Sequence, residues 1–219
     1  MGAITVSARE GYALWAETWD ATPSPIVALE ERALLPWIGR LHPRRAVDVG
    51  CGTGRWTARL SAIGVDASLG MLGVAAAKTG LRGRLAVGDA TALPIAIASA
   101  DLVLCALTLG HIWNQTAAMR EFARILAPGG TLLLTDFHPA AAALGWRRTF
   151  RRAGQVYELE NYNYTVDQLR TATDLELAEC AEATIGEPER ALFDAAGRPE
   201  LFASACRTPA VLLTRWVRR

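Results

Sequence analysis

Residues Arg44–Trp56, reading Arg-Arg-Ala-Val-Asp-Val-Gly-Cys-Gly-Thr-Gly-Arg-Trp, constrain the fold more than any other stretch of the chain. Ala46–Val49 is a short β-branched run of the kind that forms a parallel strand covered on both faces. Glycines follow at alternate positions, Gly50, Gly52 and Gly54, and a helical stretch, Arg55–Ser61, comes next. Strand, glycine turn and helix in that order open the nucleotide-binding half of a doubly wound α/β domain. Glycine is required where the backbone turns with positive φ or approaches a ligand closely, because a Cβ obstructs both. Asp48 is an acid inside an otherwise apolar strand just before the turn, and it is the clue to which nucleotide-like ligand binds there.

The rest of the chain repeats the same unit. The pattern predicts a second strand at Ala62–Val65 ending in Asp66, and a helix over Leu69–Lys78 with Ser68 as its cap. A third strand is expected at Leu85–Val87, before Gly88-Asp89-Ala90, and a fourth at Asp101–Ala106. Helix Gln115–Leu126 is expected to stop at Pro128-Gly129-Gly130, and Thr131–Thr135 supplies a fifth strand closed by Asp136-Phe137-His138. Beyond Ala140 the reading gives an exposed strand over Gln155–Asn163 and a helix Thr165–Thr173 opened by a Thr-x-x-Gln capping box. Strands at Leu175–Ala181 and Val211–Val217 follow, with Thr184–Pro209 between them read as a long loop. The expected fold is α/β and Rossmann-like, a mostly parallel seven-stranded sheet with helices on both faces. Residues 1–40 are read as an N-terminal helical lid and 41–219 as the main domain, with acceptor-side excursions near 140–164 and 184–209. In the lid, Tyr12, Trp15 and Trp19 share one helical face, and Thr22-Pro-Ser-Pro separates that helix from a second over Ile26–Leu41.

Bulk properties narrow the function. The 219 residues carry a formal net charge of +1, which argues against a dedicated nucleic-acid binder. The N-terminus lacks the basic start and apolar core of a signal peptide, and no apolar run reaches the length of a bilayer span, so a cytoplasmic protein is expected. Cys51, Cys105, Cys180 and Cys206 form no C-x-x-C pair, and neither a metal site nor a disulfide framework is expected. A dinucleotide fingerprint needs a third glycine where Arg55 stands, and no Gly-Lys-Ser/Thr marks a P-loop.

The ordered set Asp48-x-Gly50-x-Gly52-x-Gly54, Asp66, Gly88-Asp89-Ala90 and Glu121-x-x-Arg124-x-Leu126-x-Pro128-Gly129-Gly130 resembles the class I S-adenosylmethionine-dependent methyltransferases. It is most similar to their small-molecule branch, which includes ubiquinone-biosynthesis-type enzymes. The likeness covers about Ala46–Asp136, and Tyr12–Asp20 also looks like the N-terminal segment of such enzymes. The resemblance implies S-adenosyl-L-methionine as cofactor and S-adenosyl-L-homocysteine as product. It implies that Asp48 orients the methionine ammonium, that Gly50, Gly52 and Gly54 line the methionine and ribose, and that Asp66 binds the ribose hydroxyls. Asp89 and the Ala90 amide are then expected at the adenine edge, with Ala67, Met71 and Leu107 packed around the cofactor.

Methyl transfer from a sulfonium is an in-line displacement in which the protein chiefly orients the acceptor. A general base is needed only where the acceptor must lose a proton, and His111, following the fourth strand, is the candidate. Tyr12, Trp15, Trp19, Trp113 and His138 are the candidate acceptor contacts, with Trp146, Tyr157, Tyr162 and Tyr164 as further aromatic wall. Arginines 147, 148, 151 and 152 read either as a solvated face or as a site where one or two of them pair with an acidic acceptor or a phosphate. The expected partner is a small-molecule acceptor, with no nucleic acid or membrane, in a monomer or homodimer. Two alternatives stay open: a non-catalytic cofactor-binding regulator, and a methyltransferase acting on RNA or protein.

Overall fold

The computed structural model describes residues 2–219; Met1, the first residue of the expected lid, lies outside the described residues. The central sheet is built from β2 (Ala46–Val49), β3 (Ile63–Asp66), β4 (Leu85–Val87), β5 (Ala100–Ala106), β6 (Leu126–Phe137), β9 (Glu176–Thr184) and β10 (Pro209–Val217). Their spatial order is β4-β3-β2-β5-β6-β10-β9. β10 alone runs antiparallel to both of its neighbours, and the remaining pairs are parallel. This is the expected mostly parallel, seven-stranded architecture. The order reverses between β2 and β5, so a crevice opens there beyond the carboxyl ends of the strands.

Side-chain alternation sends each strand into two separate cores. On one face, Val103 and Cys105 of β5, Leu132 and Leu134 of β6 and Trp216 of β10 pack against Ala118, Met119, Phe122 and Ile125 of α5 (Gln115–Ile125). On the other, Leu102, Leu104, Leu133, Val211 and Leu213 meet Leu29 and Leu34 of α2 (Pro25–Ile38) and Trp56 of α3 (Arg55–Leu60). The apolar runs of β5 and β6 have no polar face because both faces are covered. Asp48 falls on the side opposite Val47 and Val49, towards α3.

A second, three-stranded sheet was not expected from the sequence. β1 (Ile4–Val6) pairs in parallel with β8 (Gln155–Leu159), which forms a hairpin with β7 (Thr149–Arg152). The exposed strand expected over Gln155–Asn163 therefore ends at Leu159. α1 (Ala8–Trp19) lies on this sheet, with Trp15 stacked on Phe150 at 4.7 Å and Gly11 tight against Leu159. The N-terminal segment and the 149–159 hairpin thus form one small layer. α1 also crosses α4 (Leu69–Ala76), where Gly70 lets the Ala13 backbone approach: a Cβ there would stand 3.2 Å from Ala13 Cα.

Several element boundaries differ from the sequence expectation, and two stretches depart most. The helix after β5 ends at Ile125, and Pro128-Gly129-Gly130 belongs to β6. Leu126 is already extended and pairs with Ala100, while Gly129 N–H donates to Arg218 O and Arg218 N–H donates to Gly130 O. The Arg218 guanidinium takes the helix-end carbonyls of Ala123 and Arg124, so the C-terminus ends the helix in place of a glycine cap. The 184–209 segment is also not a loop. It contains α8 (Arg190–Ala195) and α9 (Phe202–Ala205), whose Phe193 and Phe202 meet edge-to-face at 5.5 Å and enter the α2 core. Buried Glu189 fixes it to Arg32 of α2 at 2.8 Å. The capping box at Thr165 forms as expected, opening α7 (Val166–Thr171). The short helix α6 (Pro139–Ala143) follows β6.

Candidate functional site

The crevice holds a cavity of about 1100 Å³, larger than the usual range for a single small ligand. Its floor is the turn after β2. Gly50, Gly52 and Gly54 all adopt positive φ, at +70°, +55° and +85°, but for different neighbours. A Cβ on Gly50 would stand 2.2 Å from Thr108 Cγ2, and one on Gly54 would stand 2.4 Å from Leu81 Cδ1, whereas Gly52 faces open space. Gly50 and Gly52 line the cavity; Gly54 does not, and faces Leu81, and Ala75 of α4, instead. The turn hangs on the neighbouring strand, with Gly50 N–H donating to Val65 O at 2.8 Å and Gly52 N–H donating to Asp66 Oδ2 at 2.8 Å.

Three acids stand at the ends of three adjacent strands along one side of the cavity: Asp48, Asp66 and Asp89. Asp48 is almost fully buried and accepts from Thr57 Oγ1 at 2.6 Å; burial pushes its pKa up to about 6. Asp66 accepts the Gly52 amide on one oxygen and the Ser68 amide, at 2.7 Å, on the other; burial raises its pKa as well. The acid therefore joins the glycine turn to the start of α4. Asp89 accepts from Thr91 N–H at 2.8 Å and Thr91 Oγ1 at 2.7 Å through the same oxygen, Oδ1. Ala67, Met71, Ala90 and Leu107 all line the cavity between and opposite these acids. Leu107 has a φ of +53°, a strained position for a branched-chain residue that is held by Thr135 O and Oγ1.

The lid residues reach the same cavity. Tyr12, Trp15 and Trp19 line it, and the end of α1 is tied to the turn through Asp20, which accepts from Thr53 Oγ1 at 2.6 Å and pairs with Lys78 at 2.6 Å. α2 is tied below through Glu30. This fully buried carboxylate accepts from Arg55, Trp56 Nε1 and Thr135 Oγ1.

On the far side, His111 lines the cavity with both ring nitrogens engaged. Nδ1 lies 2.8 Å from Glu160 O, a pure acceptor, so Nδ1 carries the proton and Nε2 accepts. Nε2 is 2.7 Å from Arg148 Nη1 and 3.0 Å from Tyr12 Oη. Burial, then the Arg148 charge, depress the imidazole to about 3. Its lone pair is already committed to a cation, an arrangement poorly suited to the expected general base. Arg148 is the residue that the sequence left undecided. It pairs with half-buried Asp136 at 2.9 Å and donates to Leu107 O at 2.6 Å, which carries the hairpin onto the end of β6.

Of the aromatic candidates, Trp113 and Trp146 line the cavity, Trp113 at its mouth with 77% exposure. Tyr157, Tyr162 and Tyr164 do not line it; Tyr162 packs edge-on against Trp113, and Tyr164 donates to the Ile112 and Trp113 carbonyls. His138 also lies outside the cavity. It caps α6 through Nδ1, and its Nε2 faces Glu182 at 3.2 Å. The wall includes residues not singled out from the sequence: Thr108, Phe137, and, from the helical 184–209 segment, Phe193, Arg198 and Leu201. Among the described residues no group of His, Cys, Asp and Glu is placed to hold a metal.

Residues 47–134 match a family described as a methyltransferase domain. The chain is similar to demethylmenaquinone methyltransferase of Deinococcus radiodurans, 37% identical over 112 residues, covering 47% of this chain and 46% of that one. It is 31% identical over 164 residues to malonyl-[acyl-carrier protein] O-methyltransferase of Xylella fastidiosa, covering 69% and 55%. The chain thus spans about half the length of these curated relatives. Among solved structures, an S-adenosylmethionine dependent methyltransferase from Mesorhizobium loti superimposes with a TM-score of 0.64 at 22% identity, covering 87% of this chain and all of that one. That likeness concerns the fold.

Proposed function

We propose, from the premise that this chain carries a class I methyltransferase domain, that it moves the methyl group of S-adenosyl-L-methionine to an O, N or C atom of a small-molecule acceptor. The observation that supports this most is the row of Asp48, Asp66 and Asp89 on one side of a cavity whose other side is aromatic. Three acids at successive strand ends suit an ammonium, a ribose and an adenine amino group, whereas they would repel the pyrophosphate of a dinucleotide.

Each residue has a part in this reading. Asp48 sits beneath the methionine end and favours its ammonium. Gly50 and Gly52 give the backbone room, and Gly54 acts indirectly, by shaping the turn from below. Asp66 receives the ribose hydroxyls on lone pairs not used by the two amides, and Asp89 offers its free Oδ2 to the adenine edge, with Ala67, Met71 and Ala90 around the ring. Leu107 faces the cofactor from the β5 side. The cofactor supplies an electrophilic methyl; the residues here bind, orient and exclude water. Tyr12, Trp15, Trp19, Trp113 and Trp146 enclose the acceptor, and His111 positions Tyr12 and Arg148 rather than taking a proton. His138 plays no part in acceptor binding. The lid of residues 1–40 works together with the 149–159 hairpin, above a main domain of residues 41–219. No described helix is long and apolar enough to cross a membrane, and we place the protein in the cytoplasm, acting on a small molecule rather than a nucleic acid.

Calorimetry with S-adenosylmethionine, S-adenosylhomocysteine and NAD tests the assignment. The two sulfur compounds are expected to bind and NAD not to. Binding of NAD alone would reject it. Cofactor binding without turnover of any acceptor would favour the non-catalytic regulator.

A further inference from the structure

The cavity is divided by charge. Its cofactor side carries the three acids, with Arg55 there already paired to Glu30 and Glu31, while the opposite wall and mouth carry Arg9, Arg147, Arg148 and Arg198, with Glu158, 3.6 Å from Arg147 Nε, as the one acid among them. Arg148 sits deepest, its side chain 13% exposed, beside Tyr12 and His111. Its hydrogen bonds use Nη1 and Nη2, and its Nε–H makes none among the described residues. Arg9 and Arg198 are exposed at the mouth and take part in no ion pair among the described residues. Apolar surface accompanies these charges: Trp113, Leu144 and Leu201, all notably exposed for large hydrophobic residues, also line the mouth. A wall of one sign beside low-dielectric aromatic surface concentrates ligands of the opposite sign.

We infer that the acceptor is an organic anion with an apolar or aromatic body, its anionic group drawn in by Arg9 and Arg198 and held near Arg148, its body laid against Trp113 and Leu201. This rests on the methyltransferase reading, since it assigns the half of the cavity that the cofactor leaves open. It also gives the network around His111 a purpose. Nδ1–H on the Glu160 carbonyl fixes the ring so that Nε2 faces Arg148 and Tyr12, keeping the guanidinium in one place between Asp136 and the cavity. Asp136 alone does not use up the cation's donors, because a guanidinium offers five N–H groups.

The test uses the full chain loaded with S-adenosylhomocysteine, the tryptophans of the cavity reporting binding by fluorescence. The probes are 3-phenylpropionate and its neutral isostere 3-phenylpropionamide. The acid is expected to bind at least tenfold more tightly than the amide, with the preference shrinking as salt is raised. Arg9→Glu combined with Arg198→Glu, both at exposed positions, is expected to weaken the acid about tenfold and leave the amide unchanged. Arg148→Gln, which keeps a neutral donor for Asp136, is expected to abolish the preference. Equal binding of acid and amide by the wild-type protein would overturn the inference, as would an acid preference untouched by all three substitutions. Failure of S-adenosylhomocysteine to bind in calorimetry would instead reject the cofactor reading, so the two failures are distinguishable.

Discussion

Substituting alanine for Gly50 and for Gly52 separates two reasons for a glycine within one turn. Both residues have positive φ, +70° and +55°, so each substitution carries a backbone strain of roughly 1–2 kcal/mol. Only Gly50 meets a neighbour: its Cβ would stand 2.2 Å from Thr108 Cγ2, 2.3 Å from Oγ1 and 2.7 Å from Cβ. Thr108 is not free to yield, because Oγ1 donates towards the carbonyls of Gly50 and Ala106. Overpacking of this kind adds about 1–3 kcal/mol. Gly50→Ala should therefore lose about 2–5 kcal/mol, and Gly52→Ala about 1–2 kcal/mol. For a chain of this size the difference of about 1–3 kcal/mol corresponds to a Tm gap of roughly 2–12 °C, measurable by calorimetric melting without ligand. Thr108→Ala placed on Gly50→Ala removes two of the three clashing atoms and should recover part of the loss, while lowering the stability of the Gly52→Ala protein. Titration with S-adenosylhomocysteine should reverse the severity, since a Gly52 Cβ would occupy the cavity itself. Equal Tm losses for the two single variants, or no recovery by Thr108→Ala, would refute the reasoning.

Asp48, with a pKa raised to about 6, should make cofactor affinity pH-dependent. The ligand's ammonium favours the carboxylate, so binding below pH 6 expels a proton and affinity climbs as pH rises from 5 to 7; calorimetry on Asp48→Asn should show a flat profile. For stability without ligand the sign is opposite. The raised pKa contributes stability that is present below about pH 4 and lost as pH rises through about 6. His111, depressed to about 3, binds protons in the unfolded chain but not in the folded one, so its contribution is present above pH 6.5 and fades as pH falls towards 3. His111→Gln should reduce the Tm loss between pH 7.5 and 5; if turnover fell with an apparent pKa near 6.5 that this variant removed, the positioning role would be wrong. Glu30→Ala leaves Arg55, Trp56 Nε1 and Thr135 Oγ1 without their buried acceptor and should lose about 3–5 kcal/mol in thermal melting, whereas Glu30→Gln, which keeps an acceptor oxygen, should lose clearly less.

What the sequence determined by itself was local and periodic. The both-sides-buried runs at Ala46–Val49 and Asp101–Ala106, the alternate glycines, the helix caps at Ser68 and Thr165 and the acids closing successive strands are written in neighbouring residues. Backbone geometry then brings those strand ends together, because parallel strands joined by helices must present their carboxyl ends on one edge. Tertiary structure decided whatever depends on a distant partner. Ile4–Val6 is a strand only because Tyr157–Leu159 lies beside it, and Pro128-Gly129-Gly130 is extended because Arg218 pairs with it. The 184–209 segment is polar and punctuated, yet Phe193 and Phe202 find a core made by α2 and fold it into helices. The same holds for function. Asp48 pointed to the kind of ligand, but that His111 is committed to Arg148 and that Arg148 belongs to the cavity wall rather than to a solvated face follow only from the hairpin's position over β6. No local pattern encodes that, because the residues concerned are 37 positions apart.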